Sequence, residues 1–123
     1  MLSRRFATFL AVFLLIEGCW GFFSPIVFGV LSTNKVHAVI HVVLGILGIL
    51  AGRSPAARGY LIGVGGLLLV VGILRFVPGV SDIIVSVLNV NFAVAYLNIA
   101  VGVISLAIGL SAPKGDSALS PTG

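Results

Sequence analysis

The chain has 123 residues, of which 59% are hydrophobic and 8% are charged, and its formal net charge is +4. A soluble domain carries about a quarter charged residues, so the composition excludes a water-exposed globular protein and leaves no room for a soluble catalytic domain. The positive charges lie at the ends of apolar segments rather than in a basic run, which argues against nucleic acid and for a lipid bilayer as the partner.

Four apolar segments are each close to the length of about 20 residues that crosses a bilayer. They cover about residues 6–23, 34–52, 59–77 and 91–110. Arg4 and Arg5 resemble the start of a secretory signal, but Glu17 and the long apolar run predict an uncleaved helix. Ser24 and Pro25 then open a segment that is too short to span, which we interpret as an interfacial helix or a structured turn.

The distribution of Lys and Arg predicts that both termini lie on the cytoplasmic side of a bacterial inner membrane. One side carries Arg4, Arg5, Arg53, Arg58 and Lys114, and the other carries Lys35 and Arg75. Tyr60, close to the first side, is interpreted as an interfacial anchor. Residues 113–123 are rich in Pro, Ser and Gly and predict a disordered cytoplasmic tail.

Segment 34–52 is apolar on all sides except for one narrow stripe. At about 100° per residue, the stripe contains Asn34, His37, His41, Gly45, Gly48 and Gly52. In a bilayer, small and polar residues mark the side of a helix that faces other helices. The stripe therefore predicts that this helix packs into a bundle along this side.

A second stripe with matching spacing follows 57 residues later and contains Asn91, Asn98, Gly102, Ser105 and Gly109. The match predicts an all-α integral membrane four-helix bundle over residues 1–112, made of two tandem two-helix repeats at about 6–52 and 59–109. Glycines let helix backbones approach closely, so we expect the small residues of both stripes to pack helices. The Asn and His side chains need partners in lipid, and the opposite stripe supplies them, so segments 34–52 and 91–110 should face each other across the bundle centre. Gly59 and Gly63 form a similar packing motif.

The order of Asn34, His41 and Gly45 resembles the signature of domain-of-unknown-function family 4383, which consists of small bacterial four-helix membrane proteins. The resemblance extends over about residues 6–110. The second repeat departs from the signature because it carries Asn98 rather than a histidine. The resemblance implies a membrane fold and no particular activity.

Several polar residues are expected in the same outer half of the membrane, where they could form one cluster. They are Glu17, Asn34, His37, His41, Arg75 and Asn98. Ionisable residues inside a membrane are functional candidates by default. We interpret Glu17 and Arg75 as a buried ion pair, or as two hydrogen-bonded side chains that snorkel to the interface, and in either form they set the helix register. The alternative makes Glu17 a proton or cation site.

His37 and His41 are one helical turn apart and are interpreted as hydrogen-bonded residues of the packing face. The alternative is cofactor binding through these two residues. They share a face and could hold a metal together with Glu17, or His41 could be an axial ligand of a haem or a pigment. We predict no catalytic residue and no metal site, and the cofactor stays open.

These observations favour a non-enzymatic membrane protein with a structural or accessory role, in a homo-oligomer or a larger membrane complex. One alternative is a small oligomeric proton-coupled transporter or channel that uses Glu17. Another is a haem, pigment or metal carrier that binds its cargo through His41.

Overall fold

The computed structural model describes residues 2–112, so the predicted tail at 113–123 lies outside the described residues. The described chain is helical apart from one short β-hairpin. Its elements are α1 (Leu2–Gly21), β1 (Ile26–Val27), β2 (Leu31–Ser32), α2 (Lys35–Gly52), α3 (Ala57–Leu74), α4 (Val80–Leu88) and α5 (Phe92–Ser111).

Three helices, α2, α3 and α5, are long and apolar enough to cross a membrane. Only 33% of each apolar stretch is buried inside the protein, so Val, Ile and Leu side chains cover the remaining surface. Helix α1 has the same length as α5, but any stretch of 18 residues within it includes Arg4, Arg5 and Glu17. The composition and these helices are those of a membrane protein.

The segment after α1 is a structured turn, and the alternative of an interfacial helix is wrong. Strands β1 and β2 pair antiparallel, with Val27 opposite Leu31. Phe28 and Gly29 have φ angles of 54° and 76°. This left-handed conformation cannot continue a right-handed helix, so the chain reverses there.

The long helices pack as two close pairs, α1 with α2 and α3 with α5. In the first pair, a Cβ atom added at Gly45 would lie 3.0 Å from the carbonyl oxygen of Ala11. In the second pair, a Cβ at Gly102 would lie 2.7 Å from the carbonyl oxygen of Gly65. Each stripe of small residues therefore brings two backbones together at distances that only glycine permits. The other small residues of the stripes, Gly48, Gly52, Ser105 and Gly109, also contact the partner helix of their own pair.

We expected α2 and α5 to face each other across the bundle centre, but in the described chain these two helices make no close backbone contact. The pairs meet where α3 contacts α1 and α2, and where α1 contacts α5. The reason is that α1 and α3 carry small residues of their own. Gly18 fits against Ala38 of α2, and Gly72 fits against Ala95 of α5.

Two apolar clusters fill the space between the helix pairs. The first joins Ala7, Leu10 and Leu14 of α1 to Ala57, Leu61, Val64 and Leu68 of α3. The second joins the hairpin to the start of α5 and contains Val27, Leu31, Val90, Val94 and Ala95. Glu17, His37 and His41 share a crevice with Val27, Leu31 and Val94 of the second cluster.

Gly59 and Gly63 do not pack as the sequence suggested. A Cβ atom at either position would meet nothing within 4 Å. Gly66 is open in the same way, so one face of α3 carries three glycines without a neighbour among the described residues.

These contacts predict opposite effects of alanine at two glycines. Gly102→Ala should destabilise the protein by about 1–3 kcal/mol because the new methyl group meets the backbone of α3. Gly63→Ala should be neutral or stabilising by up to about 1 kcal/mol, because alanine is the better helix former and the space is open. Thermal unfolding of the two variants as single chains, in one detergent that dissociates any complex, measures the difference, and equal melting temperatures would contradict the packing of α3 on α5.

Candidate functional site

Two asparagines cap the helices that bear the stripes and also join the two halves of the chain. The side-chain oxygen of Asn34 accepts from the backbone N–H of His37, and that of Asn91 accepts from Val94, both at 2.9 Å. Their side-chain nitrogens donate across the molecule. Asn34 donates to the carbonyl of Val87 and Asn91 donates to the carbonyl of Val30, again at 2.9 Å.

Ser32 and Asn89 lock the hairpin to the chain segment after α4. The hydroxyl of Ser32 donates to the carbonyl of Asn89 and accepts from the backbone N–H of Asn91. The side chain of Asn89 returns a hydrogen bond to the carbonyl of Thr33 at 2.8 Å. We call this end of the molecule, which contains the hairpin and α4, the connector end. Its bonds hold the first turn of α2 in place, and this turn carries His37.

His37 is buried beneath the connector end. Its Nδ1 lies 3.1 Å from the carbonyl oxygen of Leu88. Because a carbonyl only accepts, Nδ1 carries the proton in this bond and leaves Nε2 for another partner. The ring of His41 follows one turn later, with its centroid 4.3 Å from that of His37 in an edge-on arrangement.

Glu17 reaches the histidines from α1. Its carboxylate oxygen lies 3.9 Å from Nδ1 of His41, and both side chains are buried. The neighbouring Gly18 sets this position because it lets α1 approach the backbone of Ala38 on α2. At 3.9 Å the two groups are too far apart for a direct hydrogen bond, so their interaction is electrostatic or passes through a bridging molecule.

A cavity of about 90 Å³ lies between α2 and α3, and it is lined by the two histidines but not by Glu17. His37, His41 and Asn98 are the polar residues of its lining, although nearly all of the surface that faces the cavity is apolar; the other lining residues are Ile40, Leu44, Leu67, Leu68, Val71 and Leu88. Asn98 is 6% exposed. Its side chain makes no hydrogen bond to any residue in the described range, although a buried amide ordinarily finds partners.

Arg75 lies outside this site. Its Nε donates to the carbonyl of Val90 at 2.7 Å, and its guanidinium lies over the ring of Phe92 at 4.4 Å from the centroid. The ion pair with Glu17 that we expected does not form, because the end of α3 is engaged by the segment that leads into α5. The structure therefore brings Glu17, His37, His41 and Asn98 together and places Asn34 one turn above them as a cap.

Sequence reasoning missed two contributors. They are Ser32 and Asn89, which hold the connector end together. The two residues are 57 positions apart, the same spacing as that between the two stripes, and this spacing could have pointed to them. Tyr60 is not a simple interfacial anchor, since its hydroxyl donates to the carbonyl of Leu44 at 2.8 Å. Tyr60 also lies against Gly48, and it thereby joins α3 to α2.

The chemistry open to this site is that of a buried hydrogen-bonding and proton-exchanging group. Across residues 2–112, no three His, Cys, Asp or Glu side chains are arranged to hold a metal ion. Glu17 and His41 are the ionisable neighbours at the core of the site. Asn98 supplies one donor group and one acceptor that the protein itself does not use.

A family model described as Domain of unknown function (DUF4383) matches residues 4–111. The match therefore covers the four long helices, the connector end and the polar site. No curated protein and no solved structure matches the chain.

The site geometry predicts that Glu17 is energetically coupled to His41 and not to Arg75. In double-mutant cycles with Glu17→Gln, we expect a coupling of at least about 0.5 kcal/mol with His41→Gln, because residues in contact couple by about 0.5–3 kcal/mol. With Arg75→Gln the effects should add to within about 0.5 kcal/mol. Unfolding free energies of the single and double variants provide the test. A larger coupling energy of Glu17 with Arg75 than with His41 would contradict the structure and support the ion pair that we expected from the sequence.

Proposed function

The chain belongs to the DUF4383 family, whose function is unknown, and we propose that it is a non-enzymatic integral membrane protein that serves as a structural or accessory subunit. In this proposal its four long helices span the bilayer as a bundle of two tandem repeats. The three apolar helices and the composition support membrane insertion. An accessory role is favoured by one face of α3 that has no neighbour among the described residues. The tandem repeat is supported by the contacts within the two helix pairs.

Two constant spacings relate the helix pairs and support an internal repeat. Gly18 packs on Ala38 in the first pair as Gly72 packs on Ala95 in the second. These contacts correspond at a spacing of 54 residues from α1 to α3 and 57 residues from α2 to α5. The contact of Gly45 with Ala11 and that of Gly102 with Gly65 obey the same two spacings. The difference of three residues falls in the connectors, which form a hairpin in one repeat and α4 in the other.

The open face of α3 carries the argument for a partner chain. Gly59, Gly63 and Gly66 lie on one side of the helix and have nothing within 4 Å of an added Cβ. Every other helical glycine in residues 2–112 packs against a neighbour: Gly18, Gly21, Gly45, Gly48, Gly52, Gly65, Gly72, Gly102 and Gly109. A helical glycine costs about 1 kcal/mol relative to alanine, and small residues mark helix interfaces in membranes. The open row therefore favours a further transmembrane helix from a second copy or from a larger complex.

An association experiment tests the accessory role. The full-length tagged chain, solubilised in a mild detergent, should migrate on a native gel as part of a complex larger than one chain. Gly63→Leu should remove that complex because a leucine side chain keeps the backbones apart. Val103→Leu, at a position on α5 that is 50% exposed, is the matched control and should leave the complex intact.

Two results would count against this proposal. Migration of the wild-type protein as a single chain would contradict an accessory subunit. A complex that survives Gly63→Leu would show that any partner binds elsewhere than the open row on α3.

We further infer that the protein lies in the bacterial inner membrane with both termini in the cytoplasm. The ends that bear Arg4, Arg53 and Arg58 lie together: Arg4 is beside Gly52, and Arg58 donates to the carbonyl of Ala112. Arginine-rich ends face the cytoplasm by the positive-inside rule. Lys35 and Arg75 belong to the connector end, which would then face outward.

Cysteine labelling tests the orientation. In a Cys19→Ala background, an impermeant maleimide added to intact cells should label Asp82→Cys in α4. It should label Pro55→Cys, between α2 and α3, only after the cells are opened. Both positions are exposed on the protein surface, so labelling depends only on which side of the membrane the cysteine lies. The reverse labelling pattern would show the opposite topology.

A small proton-coupled transporter or channel is the second candidate, and the contact between Glu17 and His41 favours it. A buried carboxylate beside an imidazole can pass a proton within the membrane. A proton-driven flux in proteoliposomes that is lost in Glu17→Gln would favour this candidate over the accessory role. The alternative of a haem or pigment carrier has less support, because the cavity of about 90 Å³ is well below the roughly 300–1,000 Å³ of small-molecule pockets.

A further inference from the structure

We propose that the cavity between α2 and α3 binds the uncharged polar end of a lipid-soluble molecule, namely a single hydroxyl or carbonyl group on a long apolar chain. This inference goes beyond the accessory role and rests only on the insertion of α2 and α3 in a bilayer. The polar end would lie against His37, His41 and Asn98, and the chain would extend into the surrounding lipid.

The first support is the hydrogen-bonding capacity that the cavity leaves unused. The Asn98 amide is buried and borders the cavity, and it makes no hydrogen bond within residues 2–112. The Nδ1 atom of His37 is occupied by the carbonyl of Leu88, so Nε2 is its remaining ring nitrogen. The Asn98 amide by itself thus leaves one donor group and one acceptor unused, which suits a hydroxyl group and, through the donor alone, a carbonyl group.

The second support is the size and position of the cavity. Its volume of about 90 Å³ corresponds to roughly three water molecules at about 30 Å³ each, which accommodates a polar end but not a whole lipid. Ile40 and Leu67 border it and are 37% and 45% exposed. The cavity therefore reaches the apolar outer surface between α2 and α3, where a hydrocarbon chain can continue into the membrane.

The third support is the charge of the lining. The residues that line the cavity include no Asp, Glu, Lys or Arg. An ionic head would lose its hydration without gaining a permanent opposite charge, which is costly in an apolar surrounding. The site therefore favours an uncharged end over a carboxylate or a phosphate.

The corresponding surface on the opposite side of the bundle provides an internal comparison. A groove between α1 and α5 contains Leu97, Val101 and Phe13, which occupy the positions of Ile40, Leu44 and Leu67 by the two repeat spacings. This groove is lined by apolar residues alone. Of these two equivalent surfaces, the cavity between α2 and α3 is the one whose lining includes polar residues.

Photolabelling of the full-length protein in lipid nanodiscs tests the proposal. The probe is a long-chain alcohol with a diazirine in its chain, and labelled residues are identified by mass spectrometry. We expect labelling next to the cavity on α2 and α3, with competition by an unlabelled long-chain alcohol, by a long-chain ketone, or by both. Competition by one and not the other identifies the polar group, whereas a matched alkane should not compete.

Three variants make the test specific. Asn98→Leu should reduce specific labelling about fivefold, which corresponds to the loss of one net hydrogen bond. Ile40→Trp should block entry from the lipid and also abolish labelling, and because Ile40 lies at the surface it tests the proposal if Asn98→Leu fails to fold. Leu97→Trp, the equivalent change in the apolar groove, should leave labelling unchanged. Labelling that is equal in all variants, or that the alkane displaces as well as the alcohol does, would overturn the proposal.

Discussion

Direct contact between helix backbones is the constraint on which the rest of this structure depends. In lipid, apolar side chains gain little by leaving their surroundings, so helices associate through close packing and hydrogen bonds. Gly45 on Ala11 and Gly102 on Gly65 provide that packing, one contact in each helix pair. Small residues occur on both helices of each pair, so each stripe packs against the partner helix within its own pair. Other side chains therefore make the contacts between the two pairs.

Polar side chains then determine how the two helix pairs are joined. The crossed bonds of Asn34 to Val87 and of Asn91 to Val30 tie each connector to the opposite helix cap. These bonds hold the start of α2 against the end of α4, and the start of α5 against the hairpin. His37 and His41 of α2, Asn98 of α5 and Glu17 of α1 consequently meet just below the connector end.

In the repeat that we propose, the two halves of the chain differ in chemistry. By the repeat spacings, the position of Glu17 in the first half corresponds to Val71 in the second, and that of His37 corresponds to Val94. The first half thus carries the ionisable groups, and the second supplies the amide of Asn98 opposite them. This difference explains why polar residues line the cavity between α2 and α3, while the equivalent groove between α1 and α5 is lined by apolar residues alone.

Composition and segment length alone predicted a helical membrane protein, and the order of Asn34, His41 and Gly45 predicted the family that matches residues 4–111. These features are local, because hydropathy and short motifs are carried by single segments. The choice of helix partners was not local. A stripe shows which face of a helix packs, but α2 meets α1 rather than α5 because Gly18 and Ala11 offer a complementary surface. The same holds for the site: the sequence indicated its polar residues, and only the tertiary structure separated Arg75 from Glu17 and left Asn98 facing a cavity, since both depend on contacts between distant segments.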